Sequence, residues 1–358
     1  MKLFEALSLI TPLNEKAKKQ ALQYQDSLIK PLGSLGKLED IAIQIAGITG
    51  DPKPEKRKKC IIVMCSDNGV CTEGVSACPQ SVTMTQAINF TKGNSGINVL
   101  SKQAGSDLIV VDIGIASEYD CDAIVNKNIA KGTKNMAIEP AMTREEAVTA
   151  IEAGIQIVEN LSAKGYNLIG TGEMGIGNTS TSSAVLMALS GMPATDVVGK
   201  GAGLTEADYI HKIRIIEQAL AVNQPDVSDP IDVLSKVGGF DIAGMAGCFI
   251  GGAACKTPVV IDGFISAVAA LIACRIHPGV KDYLIPSHAS AEPGYQFAMK
   301  AIGLSPSLLM NMRLGEGTGC ALMFMMIDAA LAIVHDMDTF EKGNITNDFM
   351  VDIREDAN

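Results

Sequence analysis

The run best suited to chemistry is a loop rich in glycine and hydroxyl side chains. It reads GTGEMGIGNTSTSSA (170–184) and lies between a strand-like run and the helix-like AVLMAL. Glycines let the backbone approach a ligand closely, and cap-type residues at a helix start leave N–H groups free to bind phosphate. We therefore predict a phosphate-binding site around Asn178, Thr179 and Ser180, with an ordinary strand-to-helix turn as the alternative.

The second candidate is a carboxylate held between glycines. The run RLGEGTG (313–319) places Glu316 at the start of an apolar, helix-like segment. Such a carboxylate, with apolar neighbours and no matched cation, suits a general base or acid. A carboxylate that only stabilises a helix N-terminus is an equally good interpretation.

A third glycine-rich loop, VGKGAGL (198–204), precedes Lys212. It suits a second set of phosphate contacts as well as it suits a plain turn. The four histidines are scattered, and none has the spacing of metal ligands. Asp112 ends an apolar strand-like run without an adjacent second acid, so no magnesium-diphosphate motif is present. We expect no metal, and sugar-phosphate chemistry here would be metal-free.

A different enzyme class must be weighed at the first loop. Gly170, Gly172 and Gly175 satisfy the dinucleotide pattern GxGxxG, with Asp196 about 20 residues further on. Glu173 opposes this interpretation, because a carboxylate inside the turn repels a pyrophosphate. We keep an NAD-dependent oxidoreductase that uses the 170–175 loop as the alternative function.

These loops need elements that position them. Five apolar runs alternate with helix-length segments: CIIVMCSD (60–67), DLIVVDIG (107–114), YNLIGTGE (166–173), TPVVIDGF (257–264) and YLIPSHAS (283–290). The alternation predicts an α/β fold, a parallel sheet with helices on both faces. Ligands of such sheets bind at the carboxyl ends of the strands. Chemistry is therefore expected at residues 66–68, 112, 172–173, 262–263 and 287–288.

Helical spacing dominates both ends of the chain. Apolar residues recur at helical intervals within 1–50, and the segment after residue 318 is rich in Ala, Met and Leu on nearly every side. We predict an α/β catalytic domain over 58–318. A small helical domain is expected to combine the segments 1–50 and 319–358.

Composition excludes several classes of protein. The 358 residues carry 29 basic and 40 acidic side chains, a formal net charge of −11, and 4% are aromatic. A chain with this excess of acidic side chains and so few aromatic residues lacks the basic surface and the stacking rings that nucleic-acid binding uses. Nine cysteines without a CxxC pair indicate reduced thiols and a cytoplasmic protein. No signal peptide is evident and no apolar run reaches the ~20 residues that span a bilayer, so we expect no membrane partner.

Seven runs, taken together, resemble one enzyme family. They keep their order from residue 30 to near the C-terminus: KPLGSLGKLE (30–39), SDNGVCTEGVS (66–76), GEMGIGNTS (172–180), IDVLSKVGGFDIAGMAG (231–247), PVVIDGF (258–264), YLIPSHASAEPG (283–294) and RLGEGTG (313–319). The chain resembles the nicotinate-nucleotide:dimethylbenzimidazole phosphoribosyltransferases of cobalamin synthesis.

The resemblance implies a fold and a reaction. It implies a Rossmann-like large domain, a small helical domain, a homodimer and no cofactor. The reaction would move 5-phosphoribosyl from nicotinate mononucleotide to a benzimidazole-type base, with inversion, giving α-ribazole 5′-phosphate and nicotinate. The pyridinium nitrogen of that donor is already positive, so nicotinate can depart without a metal.

The resemblance also implies roles for particular residues. Glu316 matches the base that removes the acceptor proton, and Glu173 and Lys212 match residues near the ribose and nicotinate. The other positions matched to the phosphate, ribose or nicotinate are Gly175, Gly177, Asn178, Thr179, Ser180, Gly201, Gly203, Asp262, Gly263 and Ser290. The positions matched to the pocket of the acceptor base are Cys78, Gln86, Met312 and Leu314.

Two departures from the commonest family pattern leave the acceptor open. Asn68 stands where the family usually has histidine, in DHGV, and Cys78 occupies a position that varies in size and polarity. Enzymes of this kind accept other benzimidazoles, purines or, in heteromeric cases, phenols. A phenol-accepting or a non-catalytic subunit of a related phosphoribosyltransferase is therefore a further alternative.

Overall fold

The computed structural model describes residues 1–201, 203–346 and 350–354. Its strands form one parallel sheet: β1 Lys59–Ser66, β2 Asp107–Gly114, β3 Val125–Asn126, β4 Leu168–Met174, β5 Val259–Ile261 and β6 Leu284–Pro286. The five predicted strands are confirmed. The sequence did not reveal β3, because this edge strand has two residues, both exposed, and no apolar pattern.

Helices connect the strands and flank them. Their bounds are α1 Leu3–Leu9, α2 Glu15–Ser27, α3 Lys37–Thr49, α4 Val82–Lys92, α5 Gly96–Ala104, α6 Arg144–Ala163, α7 Asn178–Ser190, α8 Ala194–Val197, α9 Glu206–Asn223, α10 Pro230–Val237, α11 Phe240–Ala254, α12 Phe264–Ile276, α13 Tyr295–Ile302 and α14 Thr318–Asp336. Two short 3₁₀ helices, Gly69–Glu73 and Pro278–Tyr283, complete the fold.

The strand order is β3-β2-β1-β4-β5-β6. This is the doubly wound, Rossmann-like order, in which the chain moves outward first on one side of β1 and then on the other. The connections diverge between β1 and β4, which opens a crevice at the carboxyl ends of these two strands. The predicted α/β class is therefore confirmed, and the crevice is where a ligand is expected.

The alternation of side chains along β1 divides the core into two layers. Ile62 and Met64 belong to the core under α11 and α12, whereas Ile61 and Val63 face α14. On the first face α6 packs outside α11. On the second face α4, α5 and α14 lie against the sheet, with α3 packed on α14. All eight residues of β1 are buried, as expected for a central parallel strand.

The two ends of the chain approach each other. Besides the packing of α3 on α14, Leu28 forms a β-bridge with Thr339. Helix α1 lies apart from this pair, against α6 and α11. The division into 1–50, 58–318 and 319–358 stays a prediction, and residues 347–349 and 355–358 of the last segment lie outside the described residues.

Helix α14 is long and apolar enough, by length and composition alone, to cross a membrane. No run of this length was expected from the sequence, because Asp328 interrupts the apolar residues. In the fold 56% of its most apolar window is buried inside the protein, where it contacts β1, β4 and β5. The apolar character of α14 is thus explained by its place in the core.

The close packing of α6 on α11 yields a test of the fold. A Cβ atom at Gly154 would lie 2.0 Å from the carbonyl oxygen of Gly244. Gly154→Ala should force the helices apart and lower the free energy of unfolding by about 1–3 kcal/mol, despite the better helix propensity of alanine. Urea unfolding measures this change. Thr149→Ala, on the exposed side of α6, is the control, and equal stability of Gly154→Ala and wild type would contradict the packing.

Candidate active site

A cavity of about 350 Å³ opens at the carboxyl ends of β4, β5 and β6. This is within the range of ligand pockets, roughly 300–1,000 Å³. The structure brings most of the predicted site residues to its wall: Cys78, Gln86, Glu173, Gly175, Asn178, Thr179, Gly201, Asp262, Gly263, Ser290, Leu314 and Glu316. These residues come from all parts of the chain, so the fold assembles one site from loops far apart in sequence.

Five predicted residues do not line this cavity. Gly177 is the N-cap of α7, where φ is +90°, and Gly203 also has a positive φ of +112°. Ser180 is buried, with no hydrogen-bond partner for its hydroxyl. Met312 accepts a backbone hydrogen bond from Ala291. Lys212 lies one layer behind the wall. Gly177 and Gly203, with their positive φ angles, shape their loops rather than face the cavity.

Glu316 occupies an unusual backbone conformation. Its φ of +62° is in the left-handed region, between Gly315 at +81° and Gly317 at +93°. The carboxylate is nearly buried and accepts hydrogen bonds from Gln86 Nε2 at 3.0 Å and from the backbone N–H of Ile97 at 3.2 Å. Ile97 lies in the first turn of α5, where free N–H groups favour an anionic partner. The structure thus holds the carboxylate in one position beside the cavity.

Asp262 holds this strained loop in place. Its carboxylate accepts hydrogen bonds from the backbone N–H groups of Gly317, at 3.0 Å, and Gly319, at 2.7 Å. The sequence predicted Asp262 as a substrate contact; it reaches the cavity wall, but both oxygens bind the loop that carries Glu316. Burial raises the pKa of Asp262 to about 7, although the bonds from Gly319 and Gly317 oppose that rise.

The glycines of β4 count against the dinucleotide interpretation. Gly170 and Gly172 lie inside the strand rather than in a turn after it. A Cβ at Gly172 would lie 2.4 Å from the carbonyl oxygen of Glu316, and one at Gly170 would lie 2.7 Å from Cβ of Cys320. These glycines therefore make room for the Glu316 loop and for α14. Two of the three glycines of the pattern therefore do not form a phosphate-binding turn, which disfavours the NAD-dependent alternative.

Two further carboxyls are buried around Asn178: Glu173, which lines the cavity, and Asp241, which lies behind its wall. Asn178 donates its side-chain N–H groups to both Glu173 and Asp241, the latter at 2.9 Å. Burial, reinforced by the charge of Asp241, raises the pKa of Glu173 to about 8. Burial also raises the pKa of Asp241 to about 6. Within the described part of the chain neither carboxyl forms an ion pair, so the site is suited to a cationic group.

Lys212 supports the glycine loop from behind. Its Nζ donates to Thr179 Oγ1 at 2.8 Å and to the carbonyl oxygen of Gly199 at 3.1 Å. Burial lowers the pKa of Lys212 to about 8, with the charge of Glu292 acting in the opposite sense. Thr179 lies in the first turn of α7 and on the cavity wall. An anion at this helix start would lie beside Thr179 and within reach of the Lys212 charge.

The opposite wall is more apolar. Cys78 and Val82 line it together with Gln86, and Leu314 covers it with an exposed side chain. No role for Val82 was predicted from the sequence, because the run that forms α4 has no feature that indicates a binding site. Asn68, the departure from the family pattern, lies outside the wall and donates to the carbonyl oxygen of Ile176 at 3.3 Å.

Three more titratable residues reach the cavity without having been predicted as site residues. They are His288, Glu292 and Arg313. Each lies inside a run already singled out, YLIPSHASAEPG or RLGEGTG, and His288 was noted at a strand end. Their position next to predicted residues could have pointed to them. The sequence does not show, however, which side chains in such a run face the cavity.

The strand order, together with a cavity at the carboxyl ends of the strands, is typical of α/β enzymes with nucleotide ligands. The model of one family, described as phosphoribosyltransferase, matches residues 10–345. The chain belongs to this family, and the family expectation drawn from the sequence is confirmed.

Its similarity to particular proteins extends over nearly the full length. It is 55% identical, over 99% of both chains, to a protein of Clostridium tetani named nicotinate-nucleotide--dimethylbenzimidazole phosphoribosyltransferase. A protein of the same name from Ruminiclostridium cellulolyticum is 54% identical, over 95% of this chain and 97% of that one. The crystal structure of CobT from Thermus thermophilus superimposes with a TM-score of 0.89 at 37% identity, covering 93% of this chain and 99% of that chain.

The buried carboxyls predict how stability depends on pH. The pKa of Glu173 in the folded protein, about 8, exceeds its ordinary value of 4.5, so the folded state loses stability as pH rises through this window. Glu173→Gln removes that cost and keeps an oxygen for Asn178. Its Tm should exceed that of wild type by more at pH 8 than at pH 5. Glu145→Gln, on the exposed surface of α6, is the control; a Tm difference independent of pH would contradict the assignment.

Proposed function

We propose that this protein transfers the 5-phosphoribosyl group of nicotinate mononucleotide to 5,6-dimethylbenzimidazole or a related base. The products are α-ribazole 5′-phosphate and nicotinate, and the place of the reaction is the nucleotide-loop branch of cobalamin synthesis. The names of its relatives support this proposal. The observation that carries it is the Glu316 carboxylate, fixed beside the cavity by Gln86 and the N-terminus of α5.

The chemistry follows from the charge of the donor. A ring nitrogen of the acceptor attacks C1′ of the ribose as the bond from C1′ to the pyridinium nitrogen breaks. The electron pair of the broken bond neutralises the pyridinium, so nicotinate leaves readily. Attack from the opposite face inverts the configuration from β to α. The acceptor then carries a positive charge, and Glu316 takes the proton from its second ring nitrogen.

The buried carboxyls complement this donor. Glu173 and Asp241 have no basic partner among the described residues, and a pyridinium cation supplies one. An opposite charge nearby favours the ionised carboxylate, so donor binding should lower the pKa of Glu173. Negative charge at this position would also stabilise the positive charge that develops at C1′ in the transition state.

The phosphate of the donor would bind at the start of α7. Thr179 and the loop at Gly201 line the cavity there, and Lys212 lies directly behind Thr179. Binding a dianion would keep the buried Lys212 protonated, because its pKa of about 8 rises next to a negative charge. The acceptor base would then occupy the apolar wall at Cys78 and Leu314, within reach of Glu316.

We also propose that the enzyme acts as a homodimer in the cytoplasm. The nine cysteines are all free, which supports a reducing compartment. Helices α5 and α14 pack together and expose apolar side chains, among them Val99 and Met326, with Leu314 on the loop before α14. A second copy of the chain would remove these side chains from water.

The reaction predicts the behaviour of a variant that keeps the shape of the site. Glu316→Gln retains the length of the side chain but cannot take a proton, so kcat should fall about 100- to 10,000-fold with little change in KM for the donor. Chromatography of released nicotinate measures the rate, and mass spectrometry identifies the product. Glu145→Gln is the control for substitution of a glutamate outside the site.

The same assay decides whether the proposal holds and which acceptor is used. A panel of benzimidazoles, purines and phenols is offered to wild type with nicotinate mononucleotide. Transfer to a phenol rather than an azole would reassign the acceptor class. A wild-type protein that transfers phosphoribosyl to none of them would contradict the proposed function, as would a Glu316→Gln variant with wild-type kcat.

The dimer is tested by mass in solution. Sedimentation equilibrium should give about 75 kDa, twice the 37.5 kDa of one chain. Met326→Glu places a charge on the apolar face and should shift the mass toward that of one chain. Val222→Glu, an exposed apolar position on α9, is the control. A wild-type mass of a single chain would contradict the dimer.

A further inference from the structure

His288 occupies the cavity wall in a fixed orientation. It follows β6, and only 1% of its surface is exposed. Its Nδ1 edge faces Ser287, with Nδ1 at 3.1 Å from the hydroxyl oxygen, and Gly319, where a Cβ would lie 2.1 Å from Nδ1. Its Nε2 edge faces Gly263, another residue of the cavity wall, at 3.8 Å from the position of a Cβ. The ring is therefore wedged with Nε2 toward the cavity.

The surrounding hydrogen bonds determine which ring nitrogen carries the proton. Ser287 Oγ donates to the carbonyl oxygen of Asp262 at 3.1 Å. A hydroxyl has one hydrogen, so the contact between Ser287 and His288 must be donated by Nδ1–H of the ring. Burial lowers the pKa of His288, which keeps the ring neutral. Nε2 then has a lone pair and finds no hydrogen-bond partner among the described residues.

We propose that Nε2 of His288 accepts a hydrogen bond from a ribose hydroxyl of the donor substrate. This inference rests on the proposed function and adds a binding residue to it. The phosphate dianion and the carboxylate of nicotinate mononucleotide are acceptors only, whereas its ribose hydroxyls are donors. The N–H of the acceptor base belongs at Glu316. Asp262 lies between His288 and Glu316. Its carbonyl oxygen accepts a hydrogen bond from Ser287, and its carboxylate accepts one from the loop that carries Glu316.

The position of His288 also favours the sugar. Ser290, two residues further on, lies beside Gly263 on the same wall, and Gly263 begins the turn into α12. A sugar held between this wall and Glu173 would have its C1′ near the carboxyl cluster. The edge of the ribose that carries its hydroxyls would then face His288.

Two variants and three donors test the contact. Wild type, His288→Leu and His288→Gln are assayed with nicotinate mononucleotide and with its 2′-deoxy and 3′-deoxy analogues. His288→Leu should lower kcat/KM for the natural donor roughly tenfold, since a hydroxyl is left without its acceptor. With the analogue that lacks this hydroxyl the loss should shrink to about twofold or less. His288→Gln, whose Oε1 can replace Nε2, should recover part of the activity.

A measurement on the wild-type protein tests the same proposal without substitution. Nitrogen-15 NMR of the His288 ring should show a protonated Nδ1 and an unprotonated Nε2, and Nε2 should shift when the donor binds. A protonated Nε2 in the free protein would overturn the inference. The inference would also be overturned if His288→Leu lost kcat/KM equally with all three donors. In that case transfer by the wild type would still leave the proposed function intact. A wild type that transfers no phosphoribosyl would overturn both the inference and the proposed function.

Discussion

The site depends on two hydrogen bonds that the Asp262 carboxylate accepts, one from Gly317 in the loop before α14 and one from Gly319 in the first turn of that helix. That loop places Glu316 in a left-handed conformation that a glutamate does not adopt without support, at a cost of order 1–3 kcal/mol. The bonds to Gly317 and Gly319 supply the support, and the missing side chain of Gly172 supplies the room. Because Asp262 directly follows β5 and Gly172 lies in β4, the sheet itself fixes the position of the base.

A second constraint is electrostatic. Three carboxyls, Glu173, Asp241 and Asp262, are buried within one site, and burial raises the pKa of each. A fold selected for stability alone would not keep them there, since each costs free energy when ionised. A donor with a positive ring gives that arrangement a use. The buried carboxyls thus lower the stability of the folded protein at the part of the site where the proposed reaction needs negative charge. The part that would bind the phosphate carries the opposite charge, because Lys212 is buried there.

Much of this could be predicted from the sequence, for identifiable reasons. Five strands were clear because buried parallel strands are continuous apolar runs, and Glu316 was clear because glycines flank it. Inward-facing residues such as His288 were not chosen as site residues, since no periodicity shows which side of a loop meets a cavity. Asp262 was chosen, but its partners are backbone groups some 55 positions away in sequence, which no local pattern reveals. Likewise Gly170 and Gly172 matched a phosphate-binding pattern, although their role is to admit another loop.

Asp262 should act through Glu316, and a double-mutant cycle distinguishes this from an independent contribution. The kcat of Asp262→Asn, Glu316→Gln and the double variant is measured with saturating donor and acceptor, after circular dichroism has shown that each is folded. If Asp262 serves to hold the base, the double variant should be no slower than Glu316→Gln alone. Losses that multiply in the double variant would show that Asp262 contributes independently and would contradict the account.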